Sequence, residues 1–345
     1  MNRFLFFLCC VLAVLSSCKK ENEPDDSFTQ WGTVQGPGEG ISSLAVSPDG
    51  ELLTYGNYSD NLIRIIEVAT KREIRNLSGH TKPVTELAFS PNGQLLASSG
   101  TVNLPPGIDG MVRLWNVENG NLIASVEMAP AGISQLAFSP DGSLLAGAGG
   151  GGNSLSVTLW NANNLSLIRT LTGVFRMAAF SPDGNRLMTA KRDTKVYILE
   201  TATGNEITSF SGHTGWIQSA TYSPDGQHIA TGGEDRTIQI RYPQSGQTTL
   251  TLPGHTSYPE FLAFSPDGAR LASLGSGINI TRTSSGGLSM SLSSADKFLR
   301  IWNLDTGTEL PPLNIETDVV SCAALSADWS VLATGSDSGL IRIFK

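Results

Sequence analysis

One short motif constrains this chain more than anything else in it. Ser47-Pro48-Asp49-Gly50 recurs as Ser90-Pro91-Asn92-Gly93 and again from residues 139, 181, 223 and 265, and Ser326-Ala327-Asp328-Trp329 is a degraded seventh copy. Successive copies lie 43, 49, 42, 42, 42 and 61 residues apart. Ser first, Pro second and Gly fourth are what a type I turn favours, because proline presets φ and glycine relieves the exit. An apolar run precedes each copy, such as Leu87-Ala88-Phe89, and another follows, such as Leu95-Leu96-Ala97. That pattern is a hairpin repeated seven times. A third run alternates with period two, as in Val112-Arg113-Leu114-Trp115 and Leu299-Arg300-Ile301-Trp302, and a fourth follows Asn119-Gly120 or Thr203-Gly204. Four strands in about 42 residues make one propeller blade, which cannot bury both faces alone and must stack on neighbours. The expected fold is therefore all-β: a seven-bladed β-propeller of four-stranded antiparallel blades.

Composition agrees with that. The 345 residues include 37 Gly and 17 Pro but only 16% charged side chains, against about 25% in a typical domain. Length alone would allow two domains, but the repeat assigns residues 28–345 to one ring. The chain ends in a third strand, Ile341-Arg342-Ile343-Phe344, with no fourth behind it. Upstream, Phe28-Thr29-Gln30-Trp31-Gly32-Thr33-Val34 is a strand with no blade of its own. Pairing the two closes the ring and hides its edges.

The residues around the turns resemble the WD-repeat family. Gly-His precedes the first strand at Gly79-His80, Gly212-His213 and Gly254-His255, and Trp115, Trp160 and Trp302 end third strands, each followed by Asn. In that family the His, a Ser or Thr on the second strand, an Asp before the third strand and the Trp form a buried hydrogen-bonded tetrad. The resemblance implies two complete structural tetrads, His80, Ser98, Asp109, Trp115 and His255, Ser273, Asp296, Trp302. Blade five keeps His213, Thr231 and Asp235 but carries Arg241 in the Trp position, and blades one, three, four and seven lack Gly-His.

The start of the chain is different in kind. Arg3 is followed by an apolar run over residues 4–15, too short for a bilayer core that needs roughly 20 residues and shaped like a secretory signal peptide. Leu15-Ser16-Ser17-Cys18 resembles the lipobox of bacterial lipoproteins, which implies a leader over residues 1–17, lipidation of Cys18 and a polar tether over 18–27. Lys19 in place of aspartate, and Lys19-Lys20-Glu21-Asn22-Glu23 after it, point to an outer-membrane lipoprotein on the periplasmic or cell-surface side. Loss of the leader takes one positive charge and Cys9 and Cys10 with it. Of the two remaining thiols Cys18 takes the lipid, and Cys322, in the apolar run Val319 to Leu325, reads as a buried core thiol.

Function is read mostly by exclusion. A net charge of −8 without any Lys/Arg run longer than a pair excludes the basic face of a nucleic-acid binder. Of four histidines, three belong to the repeat and His228 stands alone near a turn. Gly147, Gly149 and Gly152 satisfy G-x-G-x-x-G, but the run joins two strands and opens no helix, so it reads as a hairpin loop. No catalytic residue, metal site or cofactor is called. The positive signal is in the long connections between second and third strands, residues 100–110, with Leu104 and Pro105, and 275–295, on the face that also carries the Gly-His loops. Such one-sided insertions are either tolerated loops or a binding side. Trp216 and Tyr258, each three residues after a Gly-His histidine, are either interface anchors or packing between blades. Two readings stay open: a lipid-anchored, monomeric, non-enzymatic scaffold for an unknown protein or peptide, touching the membrane through its lipid alone, or a hydrolase or small-ligand or metal binder working at the channel mouth.

Overall fold

The computed structural model describes residues 28–345 apart from 39, 101–108, 128–132, 150–155, 174–176, 192, 276–277, 283–287, 293–297, 312 and 315–319. The expected leader, Cys18 and the tether lie outside the described residues, as do Leu104, Pro105 and Asp296.

Seven blades form a closed ring. Blade one runs Ile41–Val46, Leu52–Asn57, Ile63–Glu67 and Arg72–Leu77, each strand antiparallel to the next, and blades two to five repeat the order. In blade six an extra hairpin, Ile278–Arg282 with Leu288–Leu292, interrupts the passage from second to third strand. Blade seven takes Val320–Leu325, Leu332–Ser336 and Leu340–Phe344 from the end of the chain and Gln30–Gln35 from the beginning. The closure extends to Thr29, whose N–H and carbonyl exchange hydrogen bonds with Lys345 at 2.9 and 3.0 Å.

The turn chemistry explains the hairpins. In the first copy the Gly50 N–H donates to the Ser47 carbonyl at 2.9 Å, the Ser47 hydroxyl donates to Asp49 Oδ1, and that oxygen also accepts the Glu51 N–H at 3.0 Å. Ser47 Oγ in turn accepts the Leu52 N–H at 2.8 Å, so serine and aspartate together staple the turn to the strand leaving it. Gly50 has φ +71°, left-handed backbone that glycine enters at no steric cost.

Burial follows the radial position of each strand. Second strands such as Leu95–Gly100 are buried on both faces, whereas the outer strand Leu122–Glu127 is largely exposed. Neighbouring blades share their cores: seven apolar clusters sit at the seven blade junctions, from Ile65 and Leu77 against Leu96 and Trp115 between blades one and two to Ile41 and Tyr55 against Ile341 and Ile343 between blades one and seven. Strands buried on two sides leave little room for charge, which accounts for the low charged fraction.

Candidate functional site

Antiparallel order puts the Ser-Pro-Asp-Gly turns and the third-to-fourth turns on one face, here the lower. The Gly-His loops and the second-to-third connections lie on the upper face. The seven inner strands surround a channel whose upper part is a cavity of about 530 Å³. Ser42, Glu86, Gln135, Gln218, Glu260 and Cys322 supply its polar groups. Glu86 is half-buried there, and its carboxylate accepts the Leu136 N–H; burial pushes its pKa up to about 8, so near neutral pH the group is largely protonated and can donate.

Cys322 is not the core thiol expected from its apolar run. It is half-buried, lines the channel and touches the cluster between blades seven and one. Burial raises its pKa to about 12, so it stays a thiol rather than a nucleophilic thiolate. No histidine or lysine lies among the described lining residues, and no three His, Cys, Asp or Glu side chains converge as metal ligands among the described residues. Among its described lining residues the cavity offers hydroxyl, amide, carboxyl and thiol groups for hydrogen bonding, and no histidine or lysine stands beside the Cys322 thiol.

The rim above it is set by the tetrads. Trp115 Nε1–H can only donate, and does so to Ser98 Oγ at 2.8 Å. The Ser98 proton is thereby directed to His80 Nε2 at 2.8 Å, which leaves the other ring proton on Nδ1 for Asp109 at 3.0 Å. Asp109 also accepts the Thr81 N–H and Arg113 Nη1 at 2.9 Å. Burial opposes ionisation of Asp109, but the bonds from His80, Arg113 and Thr81 outweigh it and hold the carboxylate far below its usual range. Burial lowers the His80 pKa, which keeps the ring neutral. In blade six Ser273 Oγ likewise lies 2.8 Å from His255 Nε2 and accepts Trp302 Nε1–H at 2.8 Å. Blade five joins His213 to Thr231 at 2.9 Å and to Asp235 at 3.0 Å, while Arg241 folds into the absent indole's place and donates to the carbonyls of Ser211 and Gly246 at 2.9 and 3.0 Å.

Two features of this rim were not read from the sequence. The Asp four residues before the middle of the third strand recurs without a histidine: Arg64 pairs with Asp60 at 2.7 Å, and the Tyr197 hydroxyl donates to Asp193 at 2.6 Å. The signal for it is the Asp-x-x-x spacing to Arg64, Arg113 and Tyr197. The second feature is Tyr58, 52% exposed at the start of the blade-one connection and anchored by its N–H to the Gly40 carbonyl at 3.0 Å. Its ring lies against Gly40, where a Cβ would stand 2.8 Å from Tyr58 Cδ2 and 3.8 Å from the Asp337 carbonyl, and its phenol pKa is raised by partial burial and by the nearby Cys322 and Asp337.

The predicted anchors divide. Trp216 is half-buried on the rim, its carbonyl accepting the Glu234 N–H at 2.9 Å, and Gln218 of the channel wall donates to Glu234 Oε1 at 3.0 Å. Tyr258 is buried, only 8% exposed, and offers no surface to a partner. The glycine run also needs correction: Gly147 and Gly149 belong to the strand Leu144–Gly149 rather than to a loop. A Cβ at Gly147 would lie 2.7 Å from the Trp160 ring. His228 stacks on Tyr242 at 5.0 Å between centroids.

The family model described as "WD domain, G-beta repeat" matches residues 28–67, 71–116, 120–161, 204–241 and 246–303, and leaves the first three strands of blades four and seven unmatched although both blades are built. A periodic tryptophan protein 2 homolog of Neurospora crassa is 38% identical over 79 residues, 23% of this chain and 8% of that protein. Pre-mRNA-processing factor 19 of Oryza sativa is 34% identical over 90 residues, 26% of this chain and 15% of its own. An uncharacterized WD repeat-containing protein of Synechocystis is 32% identical over 90 residues, 26% of this chain and 24% of its own. The chain thus matches less than a quarter of the length of each of these relatives. With the family model covering well over half of its residues and seven blades in one ring, the chain belongs to the WD-repeat family.

Proposed function

We propose that this protein is a non-enzymatic binding scaffold that takes a segment of a protein partner at the upper mouth of its channel. The observation that carries this is that Tyr58 and Trp216 lie on the face where a polar cavity opens. That cavity's groups can donate and accept hydrogen bonds but include no activated nucleophile. An exposed tyrosine and a half-buried tryptophan beside a polar pocket suit a partner side chain inserted between them. The lipobox-like Leu15-Ser16-Ser17-Cys18 supports a lipid on Cys18, removal of residues 1–17 and residence at the bacterial outer membrane with residues 18–27 as tether. Cross-linking in intact cells followed by pull-down is the test. Tyr58→Ala with Trp216→Ala is expected to lose the partner and leave folding unchanged, whereas an unaltered partner list refutes the upper-mouth site. Labelled fatty acid should enter the wild-type chain but not Cys18→Ala.

A further inference from the structure

Nine large hydrophobic side chains are exposed among the described residues, and seven of them lie on outer strands: Trp31, Ile74, Leu122, Ile123, Leu167, Ile168 and Ile207. Their placement follows the register. In six of the seven blades the outer strand slips by one residue near its start among the described residues, and the bulged residue is Trp31 in blade seven, Ile74 in blade one, Ile123 in blade two, Ile168 in blade three and Ile207 in blade four. In blade five the bulged residue is Thr249. A bulge leaves its residue outside the ladder, and these sit beside the third-to-fourth turns. Five consecutive blades therefore share an apolar lower rim.

The sector at blades seven and one differs from the rest of that rim. Lys71 Nζ and Lys345 Nζ lie 4.3 and 4.1 Å from the centre of the Trp31 ring, and Arg72 is exposed beside them. Of the acids flanking Lys71 and Arg72, Glu67 accepts the Thr70 hydroxyl, and Glu73 accepts Asn76 Nδ2 at 2.6 Å and lies 3.4 Å from Arg64. Lys71 also has φ +58°, at the turn position where blades two, four, five and six carry Gly120, Gly204, Gly246 and Gly307. A non-glycine residue in left-handed backbone is strained. Here the strain holds an ammonium against an exposed indole.

We propose that this sector, centred on Trp31 with Ile74, Lys71, Arg72 and Lys345, docks rim-down into the headgroup region of a lipid bilayer. An amphipathic indole between two ammonium groups, next to an aliphatic side chain, suits the level where acyl chains meet phosphates. The chain outside the ring points to the same occupant. It joins the ring at Phe28, three residues before Trp31, and ten residues such as 18–27 reach at most about 36 Å when extended, so a lipid on Cys18 holds the bilayer near this rim. The proposal extends the anchored reading given above, and docking rim-down leaves the upper mouth open to a partner.

The test separates the two. The chain from residue 19 carries neither leader nor Cys18 but retains residues 28–345, which close the ring by themselves. It is expected to co-sediment with vesicles of phosphatidylcholine and phosphatidylglycerol, less so as salt rises. Trp31→Ala with Ile74→Ser should weaken this roughly tenfold or more, and Ile207→Ser, on the same rim but away from the sector, should leave it unchanged. Lys71→Gly is the sharper variant, since it should raise the unfolding midpoint by relieving the backbone while weakening vesicle binding. Absence of vesicle binding, equal loss with Ile207→Ser, or a soluble dimer abolished by Trp31→Ala each overturns the proposal. Failure of fatty-acid labelling at Cys18 would instead remove the anchor and leave the vesicle result standing.

Discussion

Ser98 is the hinge of the blade-two network because its single oxygen accepts from Trp115 and its proton goes to His80, all at 0–7% exposure. Ser98→Ala is expected to destabilise the protein by about 2–3 kcal/mol, the cost of orphaning two buried groups rather than of losing one average hydrogen bond; urea unfolding at neutral pH measures it. Arg241 makes the opposite case. It is buried at 3% exposure, burial lowers its pKa, and its Nε has no hydrogen-bond partner among the described residues. The seat for an indole is still present, since Gly212 stands where Gly79 faces the Trp115 ring. Arg241→Trp should therefore raise stability by about 1–2 kcal/mol by replacing a buried charge and supplying Thr231 with a donor; an unchanged or lower urea midpoint would show that Arg241 is satisfied where it is. The blade-two tetrad was legible because Gly-His and Leu-Trp-Asn mark both ends of the network. Cys322 was not, because period-two alternation on an inner strand does not say which face meets the channel. Gly147 was misread for a related reason: a glycine run looks like a loop until Trp160 is seen to require the missing Cβ.

Among the elements, the seventh turn is the informative exception. Six copies place glycine at the fourth position with φ between +69° and +73°, and Trp329 takes the same conformation at φ +61°. Left-handed backbone costs a tryptophan roughly 1–2 kcal/mol. The return is contact with the closing strand: Trp329 is half-buried, its ring lies 6.2 Å from that of Phe28, and both join the cluster between blades six and seven. Partial burial of an indole together with an aromatic pair contributes roughly 2–3 kcal/mol, slightly more than the strain. Trp329→Gly is thus expected to restore an easy turn yet lower stability by about 1 kcal/mol, with faster amide exchange confined to Gln30–Gln35 and Leu340–Phe344. Uniform protection in both strands would mean that the turn, not the ring contact, decides. In sequence this copy looked merely degraded. The apolar lower rim was hidden in the same way, because a bulge exists only in the register between strands, and Ile74 or Ile207 reads as one more strand residue until its partner is known.

At the scale of the molecule, the two faces differ: Gly-His tetrads above and an apolar rim below. Six junctions join blades consecutive in the chain, whereas the seventh joins its two ends. There Ser321 Oγ donates to the Ile41 carbonyl at 2.7 Å, and Gln30–Gln35 lies along Leu340–Phe344. Deleting residues 28–35 keeps the first of these contacts and removes the second. It exposes the edge of Leu340–Phe344, strips the cover from Phe344, now 1% exposed, and takes Phe28 from Trp329. Loss of a strand's apolar cover and its ladder outweighs the chain entropy recovered, so stability should fall by roughly 2–4 kcal/mol. The open edge should also make the truncated ring associate in a concentration-dependent way. A synthetic peptide spanning residues 28–35, added in trans, should restore both the unfolding midpoint and the monomer, because it presents the same register to the same edge. If the truncated ring melts with the intact one and stays monomeric, the seven junction clusters hold the circle without the strand, and the closing strand serves only to place Trp31 at the rim.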